Sequence, residues 1–402
     1  MSSSFRDALA FAQDIIRIPG APGQEGDVAA RVAQELERLR FDEVHTDEVG
    51  NVIGIVRGTG SAPAVMLSSH LDVVDIGAAA TWEYPPFDAV IADGHLHGRG
   101  AMDIKGPLAI QTHAAAHFVE NRIECDVIIA HTVQEERGGW GMEHLMNAIQ
   151  AGSAVIGRPG AVIIGEATNG DICVGHRGRA EIIIDVVGIA GHASAPERAR
   201  NPLDVLPLVL PALSSFAASL DTVDPLLGRS TAVPTAIETL PRSRNVIPDT
   251  ARVVVDWRVL PHITADAAVE MIRSHLERAV ALPDGYSLAV HYSIEPQQTY
   301  TGRTRDRRMF TPGFLLPPPH PVIDAAAGVI RQAMGTMPAI RPWTFATDGG
   351  HSCGVHGIPT IGFAPGEERY AHTNRERLEL GQAERVFDAY PALIEAVAAA
   401  VR

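Results

Sequence analysis

The sequence predicts an α/β protein in which a mixed, mainly parallel sheet is flanked by helices and a smaller α+β domain is inserted into the chain. Short apolar runs typical of buried strands alternate with helical patterns up to about residue 177, as in proteins with a parallel sheet. From there to about residue 295 the predicted order becomes β-α-β-β-α-β, which matches a ferredoxin-like unit. The length of 402 residues also suits about two domains.

The first part of the chain begins with two predicted helices. Apolar residues at helical spacing predict a helix over 5–18, which ends before Pro19, and a second helix is expected over about 24–39. Apolar runs then predict strands at residues 44–47, 51–56, 64–69 and 127–130. Near the C-terminus, the patterns predict helices at 321–334 and 383–401 and a strand at 360–364.

The inserted domain is predicted to comprise residues 178–295, and the larger domain residues 1–177 and 296–402. Within the insert, the patterns predict strands at 180–187, 231–240, 252–258 and 287–294 and helices at 203–220 and 265–280. Residues 300–319 are rich in Arg, Thr and Pro, which indicates a crossing loop.

Composition excludes several classes of partner. The formal net charge is −15, from 33 basic and 48 acidic residues, which argues against nucleic acid. No apolar run approaches the roughly 20 residues of a membrane span, and the N-terminus lacks a signal-peptide core. The three cysteines are not in metal-binding spacing, so we expect a protein of the reducing cytoplasm that does not engage membranes.

Two adjacent carboxylates, Glu135 and Glu136, follow the apolar run at residues 127–130. Neighbouring side chains of an extended chain point in opposite directions, so one carboxylate can face a metal ion while the other faces water or substrate. This pattern predicts one metal ligand and one general base. A bare pair of glutamates in a solvated loop would have the same sequence.

Further candidate ligands also follow strands or lie in glycine-rich turns. His70 and Asp72 come at the end of a buried strand, where ligand sites of open α/β sheets collect, and a carboxylate can orient a metal-binding imidazole. Asp103 lies within the glycine-rich stretch 98–106, where a carboxylate could bridge two cations or cap a surface turn. Glu166 ends another apolar strand, and His372 lies in a loop near the C-terminus.

Taken together, these residues suit a site for two divalent metals. Two histidines and three carboxylates are ligands for zinc, cobalt or manganese. If Asp103 bridges, each metal has three protein ligands, and two metals about 3.5–4 Å apart can lower the pKa of a water between them. Glu135 is then left to take the proton of that water and pass it to a leaving amine.

The order and the residues of six motifs resemble those of one known family. The motifs span about residues 65 to 375 and are Ser69–Asp72, Gly98–Gly106, Gln134–Glu136, Gly165–Thr168, Gly191–Ser194 and Ala371–His372. They are similar to those of the di-metal aminoacylase/carboxypeptidase family, which includes acetylornithine deacetylase, succinyl-diaminopimelate desuccinylase, aminoacylase and glutamate carboxypeptidase. The wording of the stretches 132–136, 177–179, 194–198 and 343–347 is closest to a poorly characterised branch of peptidases and hydrolases.

The resemblance implies a role for each candidate in the larger domain. One metal would be bound by His70, Asp103 and Glu166, and the other by Asp103, Glu136 and His372. Asp72 would hold His70, and Glu135 would be the general base. The bridging acid of the family commonly precedes a cis peptide bond, so Asp103–Ile104 is a candidate for this geometry.

The resemblance also implies that the inserted domain forms a homodimer through an edge strand and a helix. His192, in the Gly191–Ser194 motif, would reach the substrate carbonyl across the dimer. Asn245 and Arg258 match positions that contact the oxyanion or the carboxylate of the substrate. A strand-end polar residue and a surface ion pair, respectively, are the alternative interpretations of these two.

The stretch 347–353 departs from the small Gly/Ser/Thr segment that deacetylases of the family often carry near the substrate. It adds an acid, an imidazole and a thiol, namely Asp348, His351 and Cys353. These groups could contact an amino group or an unusual leaving group. They could equally belong to a hydrogen-bonded loop.

The sequence therefore predicts a cytoplasmic metallohydrolase that binds two divalent ions, with zinc expected and cobalt or manganese as alternatives. Its reaction would be cleavage of an amide bond, of the N-acyl or peptide type, in a small substrate that carries a carboxylate. A second hypothesis is an aminohydrolase or deaminase acting on an unusual amine, for which an aromatic pocket would be needed. A third is a binding protein on the same fold without activity, although the base and every expected ligand are present.

Overall fold

The computed structural model describes residues 4–402 and divides them into two compact units. The larger unit contains the chain up to Gly175 together with Gln297–Arg305 and Phe314–Arg402. The smaller unit contains His176–Pro296 and Asp306–Gly313. The last segment was expected in the larger domain, but its strand at Phe310–Thr311 pairs with the strand at Gly178–Val187 and so belongs to the smaller unit.

The α-helices of the described residues are α1 (Phe5–Ile16), α2 (Gly26–Arg38), α3 (Lys105–Ala115), α4 (His117–Glu120), α5 (Trp140–Ala151), α6 (Leu206–Ser219), α7 (Ala265–Ala279), α8 (Pro321–Met334) and α9 (Leu380–Ala400). The strands are β1 (Glu43–Thr46), β2 (Val52–Val56), β3 (Ala62–His70), β4 (Val90–Ala92), β5 (His95–His97), β6 (Cys125–Thr132), β7 (Ala161–Ile164), β8 (Ile172–Cys173), β9 (Gly175–His176), β10 (Gly178–Val187), β11 (Gly191–His192), β12 (Val223–Asp224), β13 (Gly228–Arg229), β14 (Thr231–Leu240), β15 (Val246–Ile247), β16 (Thr250–Val259), β17 (Ser287–Tyr292), β18 (Ile294–Gln298), β19 (Thr304–Arg308), β20 (Phe310–Thr311), β21 (Phe314–Leu315), β22 (Ile340–Arg341), β23 (Thr360–Gly362) and β24 (Arg377–Glu379). The expected crossing loop at 300–319 thus contains short strands.

The larger unit is built on an eight-stranded mixed sheet with the strand order β1-β2-β6-β3-β7-β23-β8-β22. Its centre is parallel, because β3 pairs in parallel with β6 and β7, and β7 pairs in parallel with β23. The first two strands are antiparallel additions at one edge. The predicted fold class is confirmed.

Three parallel strands at the centre of this sheet position the predicted site. The register places His70 at the end of β3 opposite Thr132 at the end of β6, and Ser68 opposite Ile164 at the end of β7. The residues that follow these strands therefore emerge at the same edge, where side chains of open α/β sheets converge on ligands. Helix α3 begins two residues after Asp103, and each of its residues is buried, so this helix is a core element of the larger unit.

The smaller unit has a ferredoxin-like sheet with the order β14-β16-β10-β17, and all its pairs are antiparallel. Helices α6 and α7 contribute to its core, in which Phe216 meets the buried Trp257 edge-on with ring centroids 5.1 Å apart. Edge strand β14 is unusual because Val233 and Ile237 are 53% and 50% exposed. Within the described residues, no helix combines the length and apolar character that crossing a membrane requires.

A buried carboxylate on α2 stabilises the larger unit at a distance from the strand ends. Glu35 is 2% exposed and accepts hydrogen bonds from Arg31 (2.8 Å) and Arg38 (3.0 Å), and its Oε1 lies 3.2 Å from His113 Nε2. Burial alone would raise the pKa of Glu35, but the hydrogen bonds from His113 and the two arginines hold it well below its usual value.

We expect Glu35→Gln to lower the free energy of unfolding by about 1–3 kcal/mol at pH 7, because charged hydrogen bonds to a buried group are lost. A depressed pKa contributes stability above the unfolded value and loses it as the pH falls, so the difference from the wild type should shrink in acid. Urea unfolding at pH 7 and pH 4 measures both effects. The exposed neighbour Glu37 provides the control, and equal midpoints for Glu35→Gln and Glu37→Gln would contradict the prediction.

Candidate metal centre

The structure brings together the five predicted ligands of the larger unit. His70 Nε2 lies 3.3 Å from Asp103 Oδ1 and 3.3 Å from Glu166 Oε1. His372 Nε2 lies 3.1 Å from Asp103 Oδ2 and 3.0 Å from Glu136 Oε1. Each oxygen of Asp103 therefore faces a different histidine, which is the arrangement that a bridging carboxylate requires.

The ligand atoms fall into two overlapping groups that could each hold an ion. One atom from each of His70, Asp103 and Glu136 lies within 4.8 Å of the others, and the same is true of His70, Glu135 and Glu166. The Asp103–Ile104 peptide bond is cis, in agreement with the expectation from the sequence. The amides of Met102 and Asp103 both donate to Glu376 Oε1 at 3.1 Å, which fixes the turn that carries the central carboxylate.

Asp72 holds His70 in a different way from the one expected. His70 Nδ1 lies 2.8 Å from the Asp72 carbonyl oxygen and 3.4 Å from its carboxylate. A carbonyl oxygen only accepts, so Nδ1 carries a proton, and Nε2 faces the carboxylates of the cluster, where a metal ion can replace the proton that they favour on it. The Asp72 carboxylate accepts instead from the amides of Glu135 and Glu136, each at 3.1 Å, and so binds the turn after β6.

The protonation equilibria of the cluster reflect many carboxylates in a confined space. Burial and the neighbouring Asp103 raise the pKa of Glu166 to about 7, and burial raises the pKa of Glu135 well above its usual value. Hydrogen bonds to Asp103 and Glu136 raise the pKa of His372 to about 10. Burial disfavours the charged form of Asp103, but its bonds to His372 and His70 lower its pKa. Positive charge is therefore favoured at the centre.

The stretch 347–353 lies beside the turn that carries Glu135, and its second half opens a short π-helix, Gly350–Val355. Asp348 is only 4% exposed, and its Oδ2 accepts from the Thr132 hydroxyl at 2.7 Å. His351 Nε2 lies 3.3 Å from the carbonyl oxygen of Gly138, three residues after Glu135. These contacts favour the structural interpretation of the stretch. Cys353 is half-buried, and burial raises the pKa of its thiol to about 11.

The other three candidates lie in the smaller unit. His192 and Asn245 are neighbours there, because β11 pairs with β15 and the Ala193 amide donates to the Asn245 carbonyl oxygen at 3.2 Å. His192 Nδ1 accepts from the Ser194 amide at 3.1 Å. Arg258 Nε donates to Asp256 at 2.9 Å, which is the ion pair that the sequence left as an alternative.

Two buried glutamates near the centre were not identified from the sequence. Glu376 binds the Asp103 turn and forms a buried ion pair with Arg99. Glu25 is fully buried and accepts from the Gln134 amide at 3.1 Å. A glutamate four residues after His372 could have been noticed in the motif, but nothing in the local sequence distinguishes Glu25 from an exposed residue at the start of a helix.

Comparison with known proteins identifies the family. Residues 66–396 match peptidase family M20/M25/M40. The chain belongs to this family. The predicted resemblance is thereby confirmed, and so is the prediction of a metallohydrolase that acts on amide bonds. M20 membership argues against the hypothesis of a binding protein without activity.

Relatives of this M20 protein cover almost its whole length. It is 30% identical over 375 residues to the uncharacterized protein YgeY of Escherichia coli K12, covering 92% of this chain and 89% of the relative. It is 29% identical over 415 residues to succinyl-diaminopimelate desuccinylase of Methylorubrum extorquens, covering 96% and 98%. The M20 family metallo-carboxypeptidase Sso-CP2 of Sulfolobus solfataricus shares the fold, with a TM-score of 0.75 at 16% identity and coverage of 98% and 99%.

Asp348 should make the metal-free M20 protein less stable above pH 6. Burial raises the pKa of Asp348 to about 6. Stability tied to a raised carboxyl pKa is complete below the unfolded value and is lost as the pH rises through the folded value. Between pH 4 and pH 7, Asp348→Asn should therefore gain up to about 3 kcal/mol relative to the wild type. Chemical unfolding with a chelator at both pH values tests this, and a pH-independent difference would refute it.

Proposed function

We propose that this protein is a two-metal hydrolase that cleaves an N-acyl or peptide-type amide bond in a small substrate carrying a carboxylate. The observation that carries the proposal is the position of Asp103 between two histidines, with one oxygen 3.3 Å from His70 and the other 3.1 Å from His372. Glu166 lies beside His70, Glu136 lies beside His372, and Glu135 lies close to His70 and Glu166. The names of the relatives, a desuccinylase and a carboxypeptidase, support this substrate class.

The residues present fit two divalent ions. His70 Nε2 is buried without a hydrogen-bond partner although carboxylates surround it, as expected of a nitrogen that ligates a metal. Excess negative charge is otherwise compensated by protons on the histidines, and ligand histidines must release those protons when a metal binds. One ion would be held by His70, Asp103 and Glu166, and the other by Asp103, Glu136 and His372. Imidazole and carboxylate ligands suit zinc, with cobalt or manganese as substitutes.

The reaction follows from the position of Glu135. Bound divalent ions would lower the pKa of a water molecule and polarise the scissile carbonyl group. Glu135 would accept the proton of this water and deliver it to the leaving nitrogen, so that the amine departs neutral as the C–N bond breaks. Burial and the neighbouring Glu166 increase the proton affinity of Glu135, which suits a group that must both take and return a proton.

His192 is suited to stabilise the oxyanion. The Ser194 amide donates to its Nδ1, so the neutral imidazole carries its proton on Nε2 and offers a donor there. We propose that this donor reaches the substrate carbonyl across a dimer and that Asn245 assists it. Arg258 would bind the substrate carboxylate. To do so, its guanidinium must either leave Asp256 or contact both carboxylates at once.

The smaller unit offers a surface for the proposed homodimer. Along edge strand β14, Val233 and Ile237 are 53% and 50% exposed, and Leu208 on α6 is 45% exposed. An edge strand with exposed apolar residues is a template for pairing with another chain. Pairing of two such edges would cover these side chains.

The number of bound metal ions distinguishes Asp103, the proposed bridging ligand, from His372, which would bind one ion only. Purified protein dialysed against zinc should bind about two ions per chain. We expect His372→Ala to lose about one ion and Asp103→Ala to lose both, because the latter contacts both histidines. Elemental analysis with Asp348→Asn as a control measures the stoichiometry. Two tightly bound ions in Asp103→Ala would contradict the assignment.

A hydrolysis assay tests both the role of Glu135 as the base and the proposed substrate class. The chelated enzyme is assayed on N-acyl amino acids, dipeptides and carbamoylated or aromatic amines, with zinc, cobalt or manganese added back. We expect metal-dependent turnover of one acyl or peptide class. Glu135→Gln should reduce kcat by about 10²–10⁴-fold while binding the same amount of metal. Turnover of only the aromatic amines would favour the aminohydrolase hypothesis, and full activity of Glu135→Gln would exclude this residue as the base.

A further inference from the structure

The turn that carries Glu135 is bound by buried carboxylates at three successive amides. The amides of Glu135 and Glu136 donate to the two oxygens of Asp72. The amide immediately before them, that of Gln134, donates to Glu25 Oε1 at 3.1 Å. Glu25 is 0% exposed and lies 109 residues away along the chain. Burial and the charge of Asp72 raise the pKa of Glu25 to about 7, but its oxygen accepts from the amide in either protonation state, so the three contacts together fix the turn.

Gln134 needs such support because its backbone is left-handed. Its φ angle is +54°, which disfavours a residue with a Cβ atom. Its amide is bound by Glu25, its carbonyl oxygen accepts from the Gly139 amide at 2.9 Å, and its side-chain Nε2 donates to the Gln298 carbonyl oxygen at 2.6 Å. The conformation at Gln134 determines the direction in which the next residue, Glu135, leaves the strand.

Capping of a helix does not explain the burial of Glu25. It stands at the N-cap of α2, yet its side chain makes no capping hydrogen bond to that helix. The carboxylate interacts with the backbone amides of Gly23 and Glu25 in its own segment and accepts from the Gln134 amide, and its Oε2 is buried without a hydrogen-bond partner. Burying a carboxylate is costly. The carboxylate therefore joins the segment before α2 to the turn after β6, which indicates a role in holding that turn.

We propose that Glu25 is a positioning residue for catalysis: its carboxylate holds Gln134 in the left-handed conformation and thereby aims Glu135 at the reacting water. Glu25 itself does not touch substrate or metal. The inference rests on the proposed role of Glu135 as the base. It predicts that loss of Glu25 changes kcat and the protection of the turn from hydrogen exchange, while metal binding persists.

The test compares Glu25→Ala, Glu25→Gln and the control Glu35→Ala. Glu35 is a second buried glutamate of the same region, but its partners are Arg31, Arg38 and His113. On the substrate found in the panel, Glu25→Ala should lower kcat by about 10–100-fold with KM within about threefold, since small misplacements of a catalytic group are costly. Glu25→Gln retains an acceptor for the Gln134 amide and should recover most of the loss. Glu35→Ala should lose stability but keep kcat.

Hydrogen exchange provides a readout that needs no substrate. The peptide covering residues 132–139 should exchange at least about tenfold faster in zinc-loaded Glu25→Ala than in the wild type, because an amide loses its acceptor. It should remain protected in Glu35→Ala. If Glu25→Ala does not fold, Glu25→Asp replaces it, since a side chain shorter by one methylene cannot hold the same contact.

The outcomes separate this inference from the proposed function. Unchanged exchange of the turn, equal kcat in Glu25→Ala and the wild type, or equal kcat losses in Glu25→Ala and Glu35→Ala would each overturn the positioning role. If the wild type hydrolyses nothing in the panel, the proposed function fails. The exchange experiment then still decides whether Glu25 holds the turn.

Discussion

The concentration of carboxylates at the ends of three parallel strands is the constraint on which the larger unit depends. Asp103, Glu135, Glu136 and Glu166 gather around His70, and two further acids, Asp72 and Asp348, stand close behind them. A group of buried like charges is unfavourable unless each carboxylate meets a donor or a cation. The strands bring the acids together, so the loops that follow must supply those partners.

The acids meet this requirement in two different ways. Asp72 and Glu376 accept backbone amides, which carry no net charge and cannot leave, so these two carboxylates define the shape of the loops. Asp103 and Glu136 instead face imidazoles, which can exchange their protons for metal ions. The first kind of contact is permanent and fixes the conformation of the loops. The second kind can be replaced, and in the proposed metal site an ion would take the place of the imidazole protons.

Much of this arrangement could be predicted from the sequence, because strand ends and motif residues are local features. The apolar runs before His70, Glu135 and Glu166 indicate that each follows a buried strand, and parallel strands bring their carboxyl ends to one edge. The amide contacts of Glu25 and Asp72 could not be predicted. They join residues 63 to 109 positions apart and depend on how a turn is oriented in space. The strand at Phe310–Thr311 could not be predicted either, because two residues are too few to show a strand pattern and its partner strand is distant in the sequence.

The arrangement also separates the two tasks of neighbouring glutamates. Glu135 and Glu136 are adjacent in sequence and their amides bind the same carboxylate, that of Asp72, so neither backbone can move without the other. Their side chains nevertheless join different groups of ligand atoms, Glu136 with Asp103 and Glu135 with Glu166. In the proposed mechanism, a single turn therefore fixes the distance between a metal ligand, Glu136, and a proton acceptor, Glu135. Such a fixed distance is what a positioned general base requires, because a misplacement of about 1 Å can lower the rate by about 10²-fold.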